Sequence, residues 1–298
     1  MKKFGKISGV LGAMALSASF LIPTHQADAA VKAYPYNGLN NNNYYNAMNI
    51  KSNVGGVSIK HITNPENSGY SAVGRVSNYD GWKGHGKDSM GTGFIIDGHT
   101  YITNLHVVQD SKGKIARPQD VKMVTERNGS SRKYVFNATK IKRVPNADAV
   151  IIHTRQNMDR YVKPMKLASE REINGLKAGD PIKAPGYDKY SKYGPTEDNT
   201  KLWESNGRYL MTTSNGREIM NKQIFRSGGS GSPILTKDNK VIGISAYGWN
   251  LNGTTHNELA GGFKFTGDTR QFILNNMKWV RDIKFLDKWK KTISIEII

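Results

Sequence analysis

Apolar residues occur in short runs along most of the chain. Between about residues 55 and 268 these runs are bounded by Gly, Asn and Asp, as in TGFIID, TYITNLHVV, ADAVIIHT, SPILT and VIGISAY. Short apolar runs between turn-forming residues are typical of β-strands, and long helical patterns are few here. The pattern predicts an all-β fold, and a span of roughly 210 residues suits two small barrels better than one sandwich.

The pattern is different at the N-terminus. Lys2 and Lys3 precede an apolar stretch over residues 10–22, and the small residues of ADA at 27–29 follow it. This order is typical of a secretory signal peptide with its cleavage site, so residues 1–29 predict a secreted protein. No later apolar stretch reaches about 18 residues, and we therefore expect no membrane span.

Residues 30–52 differ again from the rest of the chain. The stretch YPYNGLNNNNYYNAMN has few branched apolar residues and contains a run of asparagines at 40–43. Such a composition does not provide a packed core of its own. We interpret this segment as a propeptide or a disordered arm.

The C-terminal residues 268–298 show helical rather than strand spacing. Asp268 and Gln271 resemble a capping box, and TRQFILNNMKWV continues as a helix. Apolar residues from Trp279 to Leu286 keep this spacing in a Lys-rich tail. The tail is either a basic amphipathic surface binder or, as we favour, a stripe that packs on the second barrel.

Composition excludes some kinds of chemistry. The chain has no cysteine, so disulfides, thiol catalysis and cysteine metal sites are absent, and we expect neither a metal nor another cofactor. The formal net charge is +19, which indicates either an anionic partner or a solvated basic surface. We favour the solvated surface, with weak binding to anionic surfaces at most and no specific nucleic-acid target.

The heptad SGGSGSP at 227–233 surrounds Ser230 with small residues. It matches only part of the G-x-S-x-G bend that exposes a nucleophilic serine. A plain Gly/Ser turn or linker is the alternative interpretation. If Ser230 is a nucleophile, it needs a base, and the base works best when a carboxylate fixes its tautomer.

His106 and Asp148 are the candidate partners of Ser230. His106 opens HVV after a predicted strand pair, where a polar ring among apolar residues is unexpected, and Asp148 lies in NADAVIIHT at the start of an apolar strand. A carboxylate there is costly unless it has a partner. The alternatives are a structural histidine and a strand-capping aspartate.

The segments TNLHVV, ADAVII and GGSGSPIL, in this order and followed by KVIGIS, resemble the chymotrypsin-like serine proteases. Together with LWESNG at 202–207 they resemble most closely the glutamyl endopeptidase branch, which includes the exfoliative toxins. The resemblance covers about residues 60–280. It implies two six-stranded antiparallel β-barrels, at residues 53–165 and 166–267, with the reacting groups between them.

The resemblance also implies a role for each candidate. His106 would be the general base, Asp148 its orienting carboxylate and Ser230 the nucleophile, while the amides of Gly228 and Ser230 would form the oxyanion hole. Gly229 departs from the family, which has Asp or Asn there. Activation must then work in another way, and the loop should be more flexible.

Four residues are expected to shape the pocket for the substrate side chain before the cleaved bond (P1). Ser245 stands where the branch has a histidine, and Phe225 where it has threonine or serine. Ile224 replaces the acid of trypsin-like enzymes, so cleavage after Lys or Arg is not expected. With Arg226 nearby, we expect an acidic P1 residue to be slightly preferred over an uncharged one.

We therefore expect a monomeric, secreted serine endopeptidase that acts on protein or peptide substrates through an acyl-enzyme. By comparison with the branch, a maturation cut is expected near residues 51–54. Two alternatives keep this fold, namely a toxin-like protease with one narrow target and an inactive binding module. A quality-control protease of the HtrA type is less favoured, because too few residues follow Ser230 for an added peptide-binding domain.

Overall fold

The computed structural model describes residues 36–79, 89–110, 112–190, 199–248 and 258–277. The predicted signal peptide and the tail after Met277 lie outside the described residues. The strands are β1 (Ser58–Ile62), β2 (Val73–Asn78), β3 (Ser89–Asp97), β4 (Thr100–Thr103), β5 (Val121–Thr125), β6 (Tyr134–Arg143), β7 (Val150–Thr154), β8 (Pro181–Gly186), β9 (Leu202–Thr212), β10 (Glu218–Lys222), β11 (Pro233–Thr236), β12 (Val241–Gly248) and β13 (Leu259–Lys264). The helices are α1 (Asn41–Lys51), α2 (Glu170–Asn174) and α3 (Gly267–Met277), and short 3-10 turns cover Asn37–Leu39, Pro65–Asn67, Leu105–Val107, Pro118–Asp120 and Met158–Arg160.

Strands β2 to β7 form the first barrel, which closes in the order β2-β3-β4-β7-β6-β5. Strands β3 and β4 are joined at Asp97-Gly98, with Asp97 paired to Thr100, and they are the strand pair that the sequence predicted before His106. The interior is filled by branched and aromatic side chains such as Phe94, Ile102 and Ile151, all fully buried. Their burial is the main source of stability for this half.

Strands β8 to β13 form the second barrel. They follow the order β9-β10-β13-β12-β11-β8, and pairing between β8 and β9 closes the ring. The prediction of two six-stranded antiparallel barrels is confirmed. One boundary needs correction, because β1 falls in the range assigned to the first barrel but pairs with β9 of the second.

A single apolar core continues from one barrel into the other. Phe94 of the first barrel lies 6.3 Å from Phe265, between ring centroids, and Ile244 and Phe263 belong to the same buried cluster. The predicted C-terminal helix is confirmed as α3, whose Ile273 is fully buried in this cluster. The loops at the barrel junction are therefore held by a shared core.

The disordered-arm interpretation of residues 30–52 is wrong for residues 36–52. Residues 41–51 form helix α1, and the Asn40 side chain caps it by accepting a hydrogen bond from the Asn42 amide at 2.9 Å. Ala47 is fully buried in a cluster with Leu210 and Met220 of the second barrel. The helix is stabilised by this contact rather than by its own composition. The propeptide interpretation stays a prediction.

No helix within the described residues is long and apolar enough to cross a membrane.

Candidate active site

His106 and Asp148 meet because of how two strands pair. His106 lies in the 3-10 turn that follows β4, and Asp148 lies just before β7. Strands β4 and β7 are antiparallel neighbours, so the end of one and the start of the other share an edge of the barrel. His106 Nδ1 lies 2.5 Å from Asp148 Oδ2, and the His106 amide donates to Oδ1 at 3.0 Å. The carboxylate thus fixes both the ring and the backbone of His106.

The Asp148 carboxylate is buried but well supplied with hydrogen-bond donors. The residue is 4% exposed, and burial by itself raises its pKa. The hydrogen bonds and charge of His106, together with a hydrogen bond from Tyr36, outweigh this and hold the pKa of Asp148 below its ordinary value. Asp148 therefore stays ionised. The His106 side chain beside it is 43% exposed, so solvent and a substrate can reach the imidazole.

Tyr36 is a partner of Asp148 that the sequence did not indicate. Its hydroxyl donates to Asp148 Oδ2 at 2.7 Å. Burial and the negative charge of Asp148 raise the pKa of Tyr36, so the hydroxyl keeps its proton and acts as a donor. The residue lies in the segment that we took for a propeptide or disordered arm, where no motif distinguishes it.

Ser230 lies in the loop between β10 and β11, against the first barrel. Its carbonyl accepts a hydrogen bond from the Thr92 amide at 2.7 Å. A Cβ at Gly91 would lie 2.7 Å from Val107 Cγ2 and 2.8 Å from Ser230 O, so only glycine lets the loop approach the turn that carries His106. Within the described residues, no hydrogen bond joins the Ser230 hydroxyl to His106. The structure thus brings the two segments close together, but the Ser230 hydroxyl and His106 are not hydrogen-bonded to each other.

Gly228 and Ser230 have amides that are available to a ligand. Among the described residues, neither amide donates to a protein acceptor. Gly228 has a φ of +94°, and a Cβ at this position would overlap with Tyr187 O. Its carbonyl is held by the Thr92 hydroxyl, which donates at 2.8 Å. The loop around Ser230 therefore needs small residues, because larger ones would overlap with neighbouring atoms. The amides of Gly228 and Ser230 are left to bind a negatively charged oxygen.

The loop has a brace that compensates for the missing side chain at Gly229. Asp188 Oδ1 accepts a hydrogen bond from the Arg226 amide at 2.9 Å, and the Gly229 amide donates to Arg226 O at 3.0 Å. A Cβ at Gly229 would overlap with Asp188 Oδ1. The carboxylate thus fills the space where a side chain at position 229 would begin, and it opposes the flexibility expected there. Burial raises the pKa of Asp188 to about 7.

The four predicted pocket residues lie on the loop before Ser230 and on β12. Ile224 is buried, and Phe225 is half-buried against Gly248, where a Cβ would lie 2.9 Å from its ring. Ser245 is 2% exposed, and its amide donates to Ser232 O at 2.8 Å.

The fourth predicted pocket residue, Arg226, is held within its own loop. It lies with its guanidinium 6.0 Å from the centre of the Tyr190 ring and donates to Phe225 O at 2.9 Å. No cluster of three or more His, Asp or Glu side chains suited to a metal ion occurs in the described part of the chain.

Comparison with known proteins agrees with this geometry. The model of the trypsin-like peptidase domain matches residues 91–244, a stretch that contains His106, Asp148 and Ser230. The chain is similar to the solved structure of a Glu endopeptidase in complex with MPD, with 20% identity and a TM-score of 0.58 over 75% of this chain and 98% of that one. It is also similar to the thermostable serine protease AL20 from an extremophilic microorganism, with 15% identity and a TM-score of 0.53 over 67% of this chain and 94% of that one. The fold is thus the chymotrypsin-like fold that the sequence predicted. Since the family match covers more than half of its length, the chain belongs to the trypsin-like peptidase family of serine proteases.

Proposed function

We propose that the protein is a secreted serine endopeptidase that uses Ser230, His106 and Asp148 as a catalytic triad. The observation that carries the proposal is the contact between His106 Nδ1 and Asp148 Oδ2, which leaves the other ring nitrogen, Nε2, unbound by the carboxylate and able to act as a base. A buried carboxylate bound to an exposed imidazole is the arrangement that activates a serine hydroxyl. The predicted signal peptide at residues 1–29 supports secretion.

In the proposed reaction, each of these groups has one role. The Ser230 hydroxyl oxygen attacks the scissile carbonyl carbon while His106 Nε2 takes its proton, and Asp148 stabilises the imidazolium that forms. The Gly228 and Ser230 amides bind the oxyanion of the tetrahedral intermediate. His106 then protonates the leaving amine, and the C–N bond breaks to give an acyl-enzyme. Water attacks the ester with His106 as base, which releases the acid and restores the Ser230 hydroxyl.

A protein or peptide substrate with an acidic P1 residue is the finer part of the proposal. The support is Arg226, which lies four residues before Ser230 on the loop that shapes the pocket. Cleavage rates for Glu, Gln, Leu and Lys at P1 on one peptide scaffold test this. Glu well above Gln is the expected result, whereas equal rates would show that charge is not read, and Lys as the best residue would reject the pocket assignment.

The triad is tested by labelling with a fluorophosphonate probe and by peptide hydrolysis. Wild type should be labelled and active, while Ser230→Ala and His106→Ala should each lose activity by several orders of magnitude, because the residues act as a unit. Ser227→Ala is the matched control, since this exposed serine in the same loop should leave labelling unchanged. Full activity in Ser230→Ala would refute the proposal. Labelling without cleavage of general protein substrates would instead indicate one narrow target.

A further inference from the structure

Residues 36–52, which we call the N-terminal segment, make specific polar contacts with the second barrel. The amides of Asn37 and Gly38 donate to the two carboxylate oxygens of Glu218, at 2.6 and 3.0 Å. Glu218 is fully buried at the start of β10, and the Tyr247 hydroxyl also donates to it. A buried carboxylate is costly without donors. Loss of the segment would therefore leave Glu218 with one of these three hydrogen bonds.

A second set of contacts fixes the segment itself. The buried Asn43 side chain donates to Asn37 O at 3.0 Å and accepts from the Ser214 amide at 3.1 Å. Ala47 is fully buried against the second barrel. The turn before helix α1 is thus tied to both the helix and the barrel, and Tyr36, the residue just before this turn, is held in place.

Tyr36 connects the two barrels at the proposed triad. Its ring packs at 4.8 Å from the Tyr247 ring and 5.9 Å from the Phe263 ring, both in the second barrel. Its hydroxyl reaches Asp148 of the first barrel, where it shares Oδ2 with His106. Asp148 Oδ2 is thus contacted at the same time by the Tyr36 hydroxyl and by His106 Nδ1.

We propose that Tyr36 is a positioning residue for Asp148, and that the active enzyme keeps its N-terminal segment from Tyr36 onward. The inference rests on the proposed function, because it assigns a role within the same triad. It replaces the expectation of a maturation cut near residues 51–54, since that cut would remove both the Asp148 donor and two of the donors to Glu218. Any processing then occurs before Tyr36.

The hydroxyl has two physical effects on the triad. It restrains rotation of the Asp148 carboxylate, and it takes up part of the negative charge that would otherwise stabilise the His106 imidazolium. Without it, Asp148 keeps its full negative charge beside His106, which favours the imidazolium form. Among the described residues, the titratable groups around the Tyr36 hydroxyl are Asp148, Glu218 and Tyr247, and His106 contacts Asp148. The acid limb of kcat/KM, which reports the base in the free enzyme, should shift to higher pH.

Tyr36→Phe in the full chain tests the positioning role, because the ring contacts remain and only the hydroxyl is lost. We expect kcat/KM to fall about tenfold, as for the loss of one hydrogen bond to a charged group, with the acid limb shifted upward. Tyr45→Phe is the control, since Tyr45 lies in the same segment and is 63% exposed. An unchanged kcat/KM, or a fall without a shifted limb, would overturn the role. Activity in Ser230→Ala would reject the proposed function instead.

The retained segment is tested without any substitution. Protein from culture medium is labelled with a biotinylated fluorophosphonate, captured, and its N-terminal sequence determined. The labelled species should begin at or before Tyr36. A labelled species that begins at residues 51–54 would overturn the proposal, whereas no labelled species at all would count against the proposed function.

Discussion

Asp188, the brace of the Ser230 loop, is a carboxylate whose ionisation the fold opposes. It is 4% exposed, and burial raises its pKa from 3.8 to about 7, while the hydrogen bond and charge of Arg226 offset only part of this effect. A rise of that size corresponds to a cost on the order of 4 kcal/mol for the ionised form in the folded state. The brace should therefore make folding stability depend on pH.

Asp188→Asn is the variant that isolates this cost. The amide keeps the shape and an acceptor oxygen for the Arg226 amide, but it cannot ionise. Because the folded pKa lies above the unfolded value, wild type loses stability relative to the variant as pH rises from about 4 to about 7, and the difference is constant at higher pH. We expect nearly equal free energies of unfolding at pH 4 and a variant that is more stable by up to about 4 kcal/mol at pH 8.

Urea unfolding of wild type and Asp188→Asn from pH 4 to pH 9 measures the difference in their free energies of unfolding directly. The other titrating groups contribute equally to both proteins and drop out of this difference. Asp238→Asn, which changes a carboxylate whose side chain is 62% exposed, is the control and should show no such difference. Parallel curves for wild type and Asp188→Asn across this range would refute the reasoning. Asp188→Ala removes the acceptor of the Arg226 amide, so it should lower kcat/KM by roughly tenfold or more, while Asp188→Asn should stay close to wild type.

Three further changes probe the loop, the N-terminal segment and the pocket. Gly228→Ala should lower kcat/KM by roughly a hundredfold, measured by peptide hydrolysis, because a Cβ would overlap with Tyr187 O and move one of the two proposed oxyanion donors. Ala47→Asp should lower the free energy of unfolding by about 3 kcal/mol in urea, because it places an unpaired charge beside Leu210; equal stability would contradict the packing of helix α1. Arg226→Ala should reduce cleavage after Glu about tenfold with little effect on Gln, and equal losses for both would show that Arg226 does not read charge.

The residues of the proposed triad could be selected from the sequence because each lies in a short segment with a local signal. A polar ring in TNLHVV, a carboxylate at the start of ADAVII and small residues around Ser230 are all visible in the sequence. What brings His106 to Asp148 is the pairing of β4 with β7, and this pairing depends on the whole barrel. The same limit explains β1, whose own pattern predicts a strand but does not identify its partner in the second barrel.

Asp188 and Tyr36 could not be predicted because their importance comes from distant contacts. Asp188 lies in PGYDKY, which carries no motif, and its role depends on the distant Arg226 amide and on the absence of a side chain at Gly229. Helix α1 was missed for a related reason, since asparagine is a weak helix former and the helix depends on burial of Ala47.

These contacts make the site a product of three separate parts of the chain. The first barrel supplies His106 and Asp148, the second barrel supplies Ser230 with its amides, and the N-terminal segment supplies Tyr36. Because Asp148 Oδ2 binds Tyr36 and His106 together, a change in the N-terminal segment should alter the environment of His106, the proposed base. Removal of the segment should therefore weaken catalysis before it weakens substrate binding, and kcat should fall more than KM changes.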